Sequence, residues 1–387
     1  MFHPGSVVDG GLQAEPIGQT VRRALLTLTG ASDEVEAWRR FIRPGEVVGL
    51  KVNPVGLSRG RGGRRTAISS PETIMAVVQG LTKAGIAPKD IVLFDRYRDA
   101  FMNCGYHRLA DRLGTRWAAS SVGYDETQID PSGYSVGDPG KEKEHGAART
   151  DGSPGVSGYD PEHFAEFAYV HPLNAPDAPH SRRSYVSQIV TRQVDKIINL
   201  CVLKEHSSAG VTGALKNLSH GLVNNVSRTH AIPSLNQCRT FIPAVVALPV
   251  IRQKVVLHIM EAFVGIYQGG PFASAYAWEP KALMMSTDPV AMDRLAWDLI
   301  DAQRARVRLP ALAKSGLLLP GYASDRDEKE SFHRRQPEHI ELAGVSGLGV
   351  FRRTEAEWRR VHEGSERGGR KLRTIQHRRI ALGEPAE

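Results

Sequence analysis

The segment Lys204-Glu205-His206-Ser207-Ser208-Ala209-Gly210-Val211-Thr212-Gly213-Ala214-Leu215-Lys216-Asn217 sets an imidazole and two ammonium groups around a glycine-bearing polar turn that follows an apolar run. An imidazole can move a proton near neutral pH or ligate a metal, and a lysine can hold an anion or act as a nucleophile. His206 and Lys216 are therefore the candidate catalytic pair. Between them, Gly210, Thr212 and Gly213 can form a tight backbone path that approaches an anionic ligand closely. Together with Lys204 and Asn217 they are the candidate ligand or cofactor contacts. The plainer alternative makes Lys216 a surface ammonium and His206 a capping side chain.

His220 and His230 follow on the same stretch and, with His206, supply imidazoles enough for a divalent metal. His230 is the preferred ligand, with Glu261 as its partner; His220, beside Gly221, also reads as a turn residue. The spacing matches neither H-x-x-x-H nor H-E-x-x-H and so identifies no metal by itself. His258 lies inside an apolar run and reads as a core histidine. Cys104, Cys201 and Cys238 are far apart and form no C-x-x-C pair, so no zinc knuckle or iron–sulfur cluster is expected.

These residues need elements to position them. Val47-Val48-Gly49-Leu50-Lys51-Val52 and Ile91-Val92-Leu93-Phe94 read as buried strands. Between them Ser70 is a helix N-cap, Pro71 a first-turn residue, and Ile74, Val77, Val78 and Leu81 an apolar face that ends at Gly85. That is a βαβ unit with parallel strands. Residues 120–184 are rich in Gly, Pro, Asp, Ser and His and read as an irregular insertion or lid. Further strands are expected at Tyr185–Val190, Lys196–Leu203, Val255–Met260 and Ala282–Ser286, the last followed by a helix with Asp288 as N-cap and Pro289 at its first position.

Ligands of α/β folds sit outside the carboxyl ends of the strands. The residues that follow the apolar runs are Lys51 and Asn53, then Asp95 and Arg96, Lys204 and His206, Glu261, and finally Ser286 and Asp288. Several of these are expected to converge on one pocket, with Asp95 as a further candidate catalytic group and Lys51, Asn53 and Asp288 as ligand contacts. Gly269-Gly270-Pro271 either turns the chain or opens its backbone onto the ligand. Asp293 either reaches the pocket or balances Arg294.

Composition narrows the classes. The 387 residues are 41% hydrophobic and 24% charged, which is ordinary globular composition, and no run is long and apolar enough for a membrane span. The start has neither a basic n-region nor an apolar h-region, so a cytoplasmic protein is expected. The net charge of +8 is concentrated in Arg59–Arg65 and in Arg352–Arg379, without the periodic face or aromatic interleaving of a nucleic-acid binder. The absence of G-x-G-x-x-G, G-x-x-x-x-G-K-[ST] and G-x-S-x-G argues against a standard nicotinamide enzyme, a P-loop NTPase and an α/β hydrolase.

Gly49–Asn53, Ser70-Pro71-Glu72, Asp95-Arg96, Lys204–Asn217, Gly269-Gly270-Pro271 and Thr287–Asp293 together resemble the family known as domain of unknown function 362, over roughly residues 45–300. Because some members of that family carry a twin-arginine signal, the resemblance implies export as the alternative localisation if the true start lies upstream. His206-x-x-Ala-Gly-x-Thr-Gly-x-x-Lys216 is also similar to an element of the nickel-pincer lactate racemase family. That second resemblance implies that Lys216 tethers a pincer nucleotide, that His206 moves a hydroxyl proton, and that His230 stands near the nickel. Ala214 in place of a glycine, and Asp95-Arg96 where a second catalytic histidine is expected, depart from that pattern.

The fold class read from the sequence is α/β, with mixed or mostly parallel sheets and crossover helices, and with two lobes enclosing the site as one arrangement. The segments are an extension (1–20), an N-terminal lobe (21–119), the insertion (120–184), a second lobe (185–330) and a basic tail (331–387). The expected function is a basic ligand or cofactor site at strand ends. It belongs either to a racemase-like enzyme acting on small carboxylates or to a non-catalytic protein that binds an anionic metabolite or metallocofactor.

Overall fold

The computed structural model describes residues 1–56, 67–124, 155–178, 180–229, 237–272, 275–314, 337–354 and 374–382. The chain opens with a ribbon of β1 (Val7–Val8) and β2 (Gly11–Leu12), followed by helix α1 (Ala14–Thr29) and the Asp33-capped α2 (Glu34–Arg39). Strand β3 (Val48–Lys51), helix α3 (Pro71–Lys83) and strand β4 (Ile91–Tyr97) form the anticipated βαβ unit, with β3 and β4 parallel. Ser70 Oγ accepts the N–H of Thr73, Pro71 opens the helix, and Gly85 lies beyond its end at φ 101°. Helices α4 (Arg98–Asn103) and α5 (Tyr106–Leu113) lead to β5 (Arg116–Ser121).

Within the stretch read as irregular, β6 (Tyr159–Glu166) pairs antiparallel with β7 (Arg183–Ser187). The stretch is therefore structured at its C-terminal end. Its polar, proline-containing strand hides the alternation that would have announced it. Next come β8 (Lys196–His206), the two-residue β9 (Gly210–Val211), α6 (Gly213–Leu222), α7 (Cys238–Val246) and α8 (Pro249–Arg252). The chain continues through β10 (Val255–Ile266), β11 (Ala277–Trp278), β12 (Ala282–Ser286), α9 (Pro289–Arg306) and α10 (Glu338–Val345).

The main sheet runs β11-β10-β8-β3-β4-β5, with β12 also on β10 and β9 on β8. Strands β10, β8, β3, β4 and β5 are mutually parallel, whereas β11 and β12 run antiparallel to β10. Because β3 bonds both β4 and β8, the segments read as two lobes meet along one continuous sheet. Ile17, Val21, Trp38, Ile74, Val77 and Leu81 cover one face. Leu215, Leu218, Phe241, Ile242, Met292 and Ile300 cover the other, so the architecture is α/β/α.

The tail is not wholly loose. Phe2 N–H donates to Ile380 O and Leu382 N–H to Phe2 O, each at 2.8 Å, so residues 374–382 return to the N-terminus. The arginine cluster 59–65 lies outside the described residues. Cys104, Cys201 and Cys238 are free thiols, the last two buried. Among the described residues no helix is long and apolar enough to cross a membrane.

Candidate functional site

Where β3, β4 and β8 end, a cleft of about 740 Å³ opens. Its lining includes Lys51, Asn53, Asp95, Lys204, His206, Thr212, Lys216 and Asn217, so the residues expected to converge from separate strand ends do meet.

The floor is a closed polar network. Lys51 Nζ donates to Asp95 Oδ1 (2.5 Å), Val52 O (2.7 Å) and Asn217 Oδ1 (3.3 Å), which occupies all its protons. Asn217 Oδ1 also accepts from Asn53 Nδ2 (3.0 Å), and Asn53 Oδ1 in turn accepts from Lys204 Nζ (2.7 Å), which also donates to Val55 O. On its other side Asn217 Nδ2 donates to Asn199 Oδ1 (2.7 Å), and Asn199 contacts His258 Nδ1 (3.1 Å). His258 is thus a satisfied core residue, and burial lowers it to about 3, so it is neutral. Gly221 lets Lys51 pass, since a Cβ there would lie 2.3 Å from Lys51 Cε.

Lys204, Glu205 and His206 belong to strand β8 itself rather than to a turn after it, because β9 folds back to pair with its end. Gly210, at φ 72°, makes that hairpin and does not line the cleft. His206 Nδ1 accepts the N–H groups of Ser208 (3.0 Å) and Ala209 (3.2 Å), which selects the tautomer protonated on Nε2.

Helix α6 carries Lys216 and Asn217. Its first turn is clamped by Asp293, which accepts the N–H groups of Ala214 and Leu215. Asp293 therefore neither enters the cleft nor balances Arg294. Gly213 sits at φ 52°, and a Cβ there would fall 2.1 Å from Asp293 Oδ1, so glycine serves this clamp and not a ligand.

Lys216 is only 8% exposed and lines the cleft, and its ammonium makes no hydrogen bond or ion pair among the described residues. Thr212 Oγ1 is likewise buried without a partner among them. Burial, reinforced by Arg96, lowers the Lys216 ammonium to about 8; burial, reinforced by Lys216, lowers Lys204 to about 7. Burial also lowers Lys51 and raises Asp95, and their mutual attraction opposes both shifts. With Lys51, Lys204, Lys216 and Arg96 against Asp95 and Asp99, the lining carries an excess of cationic groups.

Other expected contacts lie elsewhere. Strand β10 continues past Met260 to Ile266, which puts Glu261 in mid-strand with the parity of Ile259 and Phe263. It accepts the Ser70 N–H (2.8 Å) at the start of α3, and burial raises it to about 8. Asp288 caps α9, accepting the N–H groups of Ala291 (2.8 Å) and Val350 (2.7 Å); because β12 is antiparallel, its end faces the opposite edge of the sheet. Gly270 donates its N–H to Glu205 Oε2 (2.8 Å), and a Cβ there would overlap the Glu205 carbonyl. Gly269 and Gly270 thus turn the chain against β8 and bring Pro271 and Phe272 to the cleft, without lining it themselves.

His230 lies outside the described residues. Among the described residues no three His, Cys, Asp or Glu side chains gather to hold a metal ion. Lys216, whose ammonium has no partner among the described residues, would suit a tethered pincer group. Glu261 is turned away, however, and Asp95 and Arg96 are engaged with Lys51 and with the carbonyls of His220 and Val223. The described residues alone supply no ligand set for the metal of a nickel-pincer cofactor.

Sequence reasoning overlooked Asn199, Tyr97, Tyr124 and Phe272. An asparagine inside an apolar strand was a usable signal for the first. The aromatic residues stand next to the polar strand ends and turns and carry no motif.

Fold and cleft together define an α/β sheet protein with a lysine-rich site at its strand ends. Residues 138–298 match the family model described as Domain of unknown function (DUF362). The matched span contains His206, Lys216 and Asn217 but not Lys51, Asn53 or Asp95. A solved structure of a Thermotoga maritima protein is similar at a TM-score of 0.37 and 14% identity; the likeness covers 77% of this chain and 60% of that one. No curated protein matches the chain.

Proposed function

We propose that the cleft binds a small metabolite through its carboxylate or phosphate group, with Lys216 as the direct contact and His206 as the proton donor. The supporting observation is the Lys216 ammonium, nearly buried and without a partner among the described residues, beside a polar floor of hydrogen-bonded groups. A buried charge without a partner costs several kcal/mol, and an anionic ligand is the natural compensation. Burial lowers Lys204 to about 7 and Lys216 to about 8, so an arriving anion would draw protons onto both. The Nε2–H of His206 can donate to a ligand oxygen as a general acid.

The full occupation of Lys51 and Asn217 favours a second reading, in which the cleft holds its anion without turning it over. Thermal unfolding in the presence of phosphate, lactate and pyruvate tests the shared claim. Saturating ligand at a hundred times its Kd should stabilise the fold by about 2.7 kcal/mol. Lys216→Ala should abolish this gain, whereas His206→Ala should retain it. A Lys216→Ala protein still stabilised as the wild type is would refute the assignment. Ligand that loses or gains solvent deuterium only when His206 is present would decide for turnover over holding.

A further inference from the structure

The cleft is larger than a three-carbon acid or a phosphate ion fills, since about 740 Å³ lies in the range typical of drug-sized ligands. Besides the lysines, the lining holds Tyr97, Tyr124, Pro271 and Phe272. Phe272 is 68% exposed and Tyr124 55%, so large aromatic surface faces the cleft instead of the core. Tyr97 meets Tyr124 edge to face with ring centroids 6.1 Å apart, while the Arg96 guanidinium covers one face of Tyr97 at 4.0 Å. The Tyr97 hydroxyl is buried and has no hydrogen-bond partner among the described residues. Asp99 also lines the cleft; its Oδ1 accepts from Arg98 at 3.3 Å, and its second oxygen is a further acceptor for N–H or hydroxyl groups.

From this we infer that the anion bound in the cleft also carries a planar aromatic ring, with its charged group toward Lys216 and its ring against Tyr124 and Phe272. The inference rests on the anion reading of the same cleft and adds its substrate class. A nucleoside monophosphate and an aryl carboxylate share this chemistry. Aromatic stacking supplies affinity that a bare anion cannot draw on, and the unpaired Tyr97 hydroxyl and the Asp99 carboxylate suit polar substituents on the ring or its sugar.

Calorimetric titration of the full chain tests it with two matched pairs: adenosine monophosphate against ribose 5-phosphate, and indole-3-acetate against acetate. In at least one pair the ring-bearing probe should bind about ten-fold tighter or better, and the pair that responds identifies the charged group. Tyr124→Ala with Phe272→Ala should erase that advantage while leaving ribose 5-phosphate and acetate unchanged; both side chains are exposed, so the fold should hold. Equal affinity within both pairs, or an advantage that survives the double substitution, overturns the inference. If ringless anions bind and rings add nothing, only the ring claim fails. If no probe binds at all, the anion reading fails and takes the ring claim with it.

Discussion

The Asp293 carboxylate, on helix α9, accepts the backbone N–H groups of Ala214 at 2.5 Å and Leu215 at 2.9 Å, and so fixes the start of the helix that carries Lys216. It stands where a Cβ on Gly213 would be. Gly213→Ala should therefore destabilise the protein by about 2 kcal/mol or more, through a strained positive φ and a displaced clamp. Asp293→Ala should lose about 1–3 kcal/mol by leaving two N–H groups unpaired. Gly18→Ala is the control: Gly18 lies inside α1 with nothing within 4 Å of its missing Cβ, and the change should stabilise by about 0.5–1 kcal/mol. Urea unfolding measures all three, and equal effects at Gly213 and Gly18 would contradict the clamp.

Lys51 and Asp95 form an ion pair with side chains only 1% and 5% exposed. Lys51→Met or Asp95→Leu alone should lose about 3–5 kcal/mol, because each strands a buried charge. The double variant should recover most of that loss. Additive single losses in a double-mutant cycle would mean that the pair is not coupled.

Stability should pass through a minimum near neutrality. Burial raises Glu205 and Asp293 to about 7 and Glu261 to about 8, so in the folded chain they keep protons that the unfolded chain has released. The native state then binds more protons, and stability falls as pH rises from about 4 through that range. Lys204 and Lys216, lowered to about 7 and about 8, shed protons that the unfolded chain still holds, so stability recovers from there toward about pH 10. A series of Tm values from pH 5 to pH 10 should trace this dip. A maximum at pH 7 to 8 would contradict it.

Lys216→Met should make the ligand-free protein more stable at pH 6, by about 1–2 kcal/mol, because it removes a nearly buried ammonium that has no partner among the described residues. Chemical denaturation without added anions measures this. A loss of stability instead would assign Lys216 a structural role.

Local chemistry made much of this readable in advance. Ser70, Pro71 and the apolar face of α3 declared a helix, and the runs through Leu50, Leu93 and Leu200 declared buried strands, because caps and periodicity are properties of a few neighbouring residues. Convergence of Lys51, Asp95 and Lys204 followed from strand direction in a parallel sheet. Direction is also what misplaced Asp288, since nothing local to Ala282–Ser286 says that β12 runs backwards against β10. Glu261 failed for another reason. Apolar residues continue on both sides of it, so the strand had no visible end and its parity decided which face it took. The bond from Asp293 to α6 joins residues far apart in the chain, and no short-range pattern encodes it.

The floor of the cleft has a kinetic side. Lys51 reaches Asn217 across 166 positions of sequence, Asn53 reaches Asn217 across 164, and Lys204 reaches Asn53 across 151. The Lys204–Asn53 bond waits for β3 and β8 to pair, and the two bonds to Asn217 wait for α6 to dock as well, so the floor of the cleft is among the last things the folding chain completes. Such long-range closure is slow. A bound anion would then act mainly on the reverse reaction, slowing unfolding while leaving the folding rate nearly untouched.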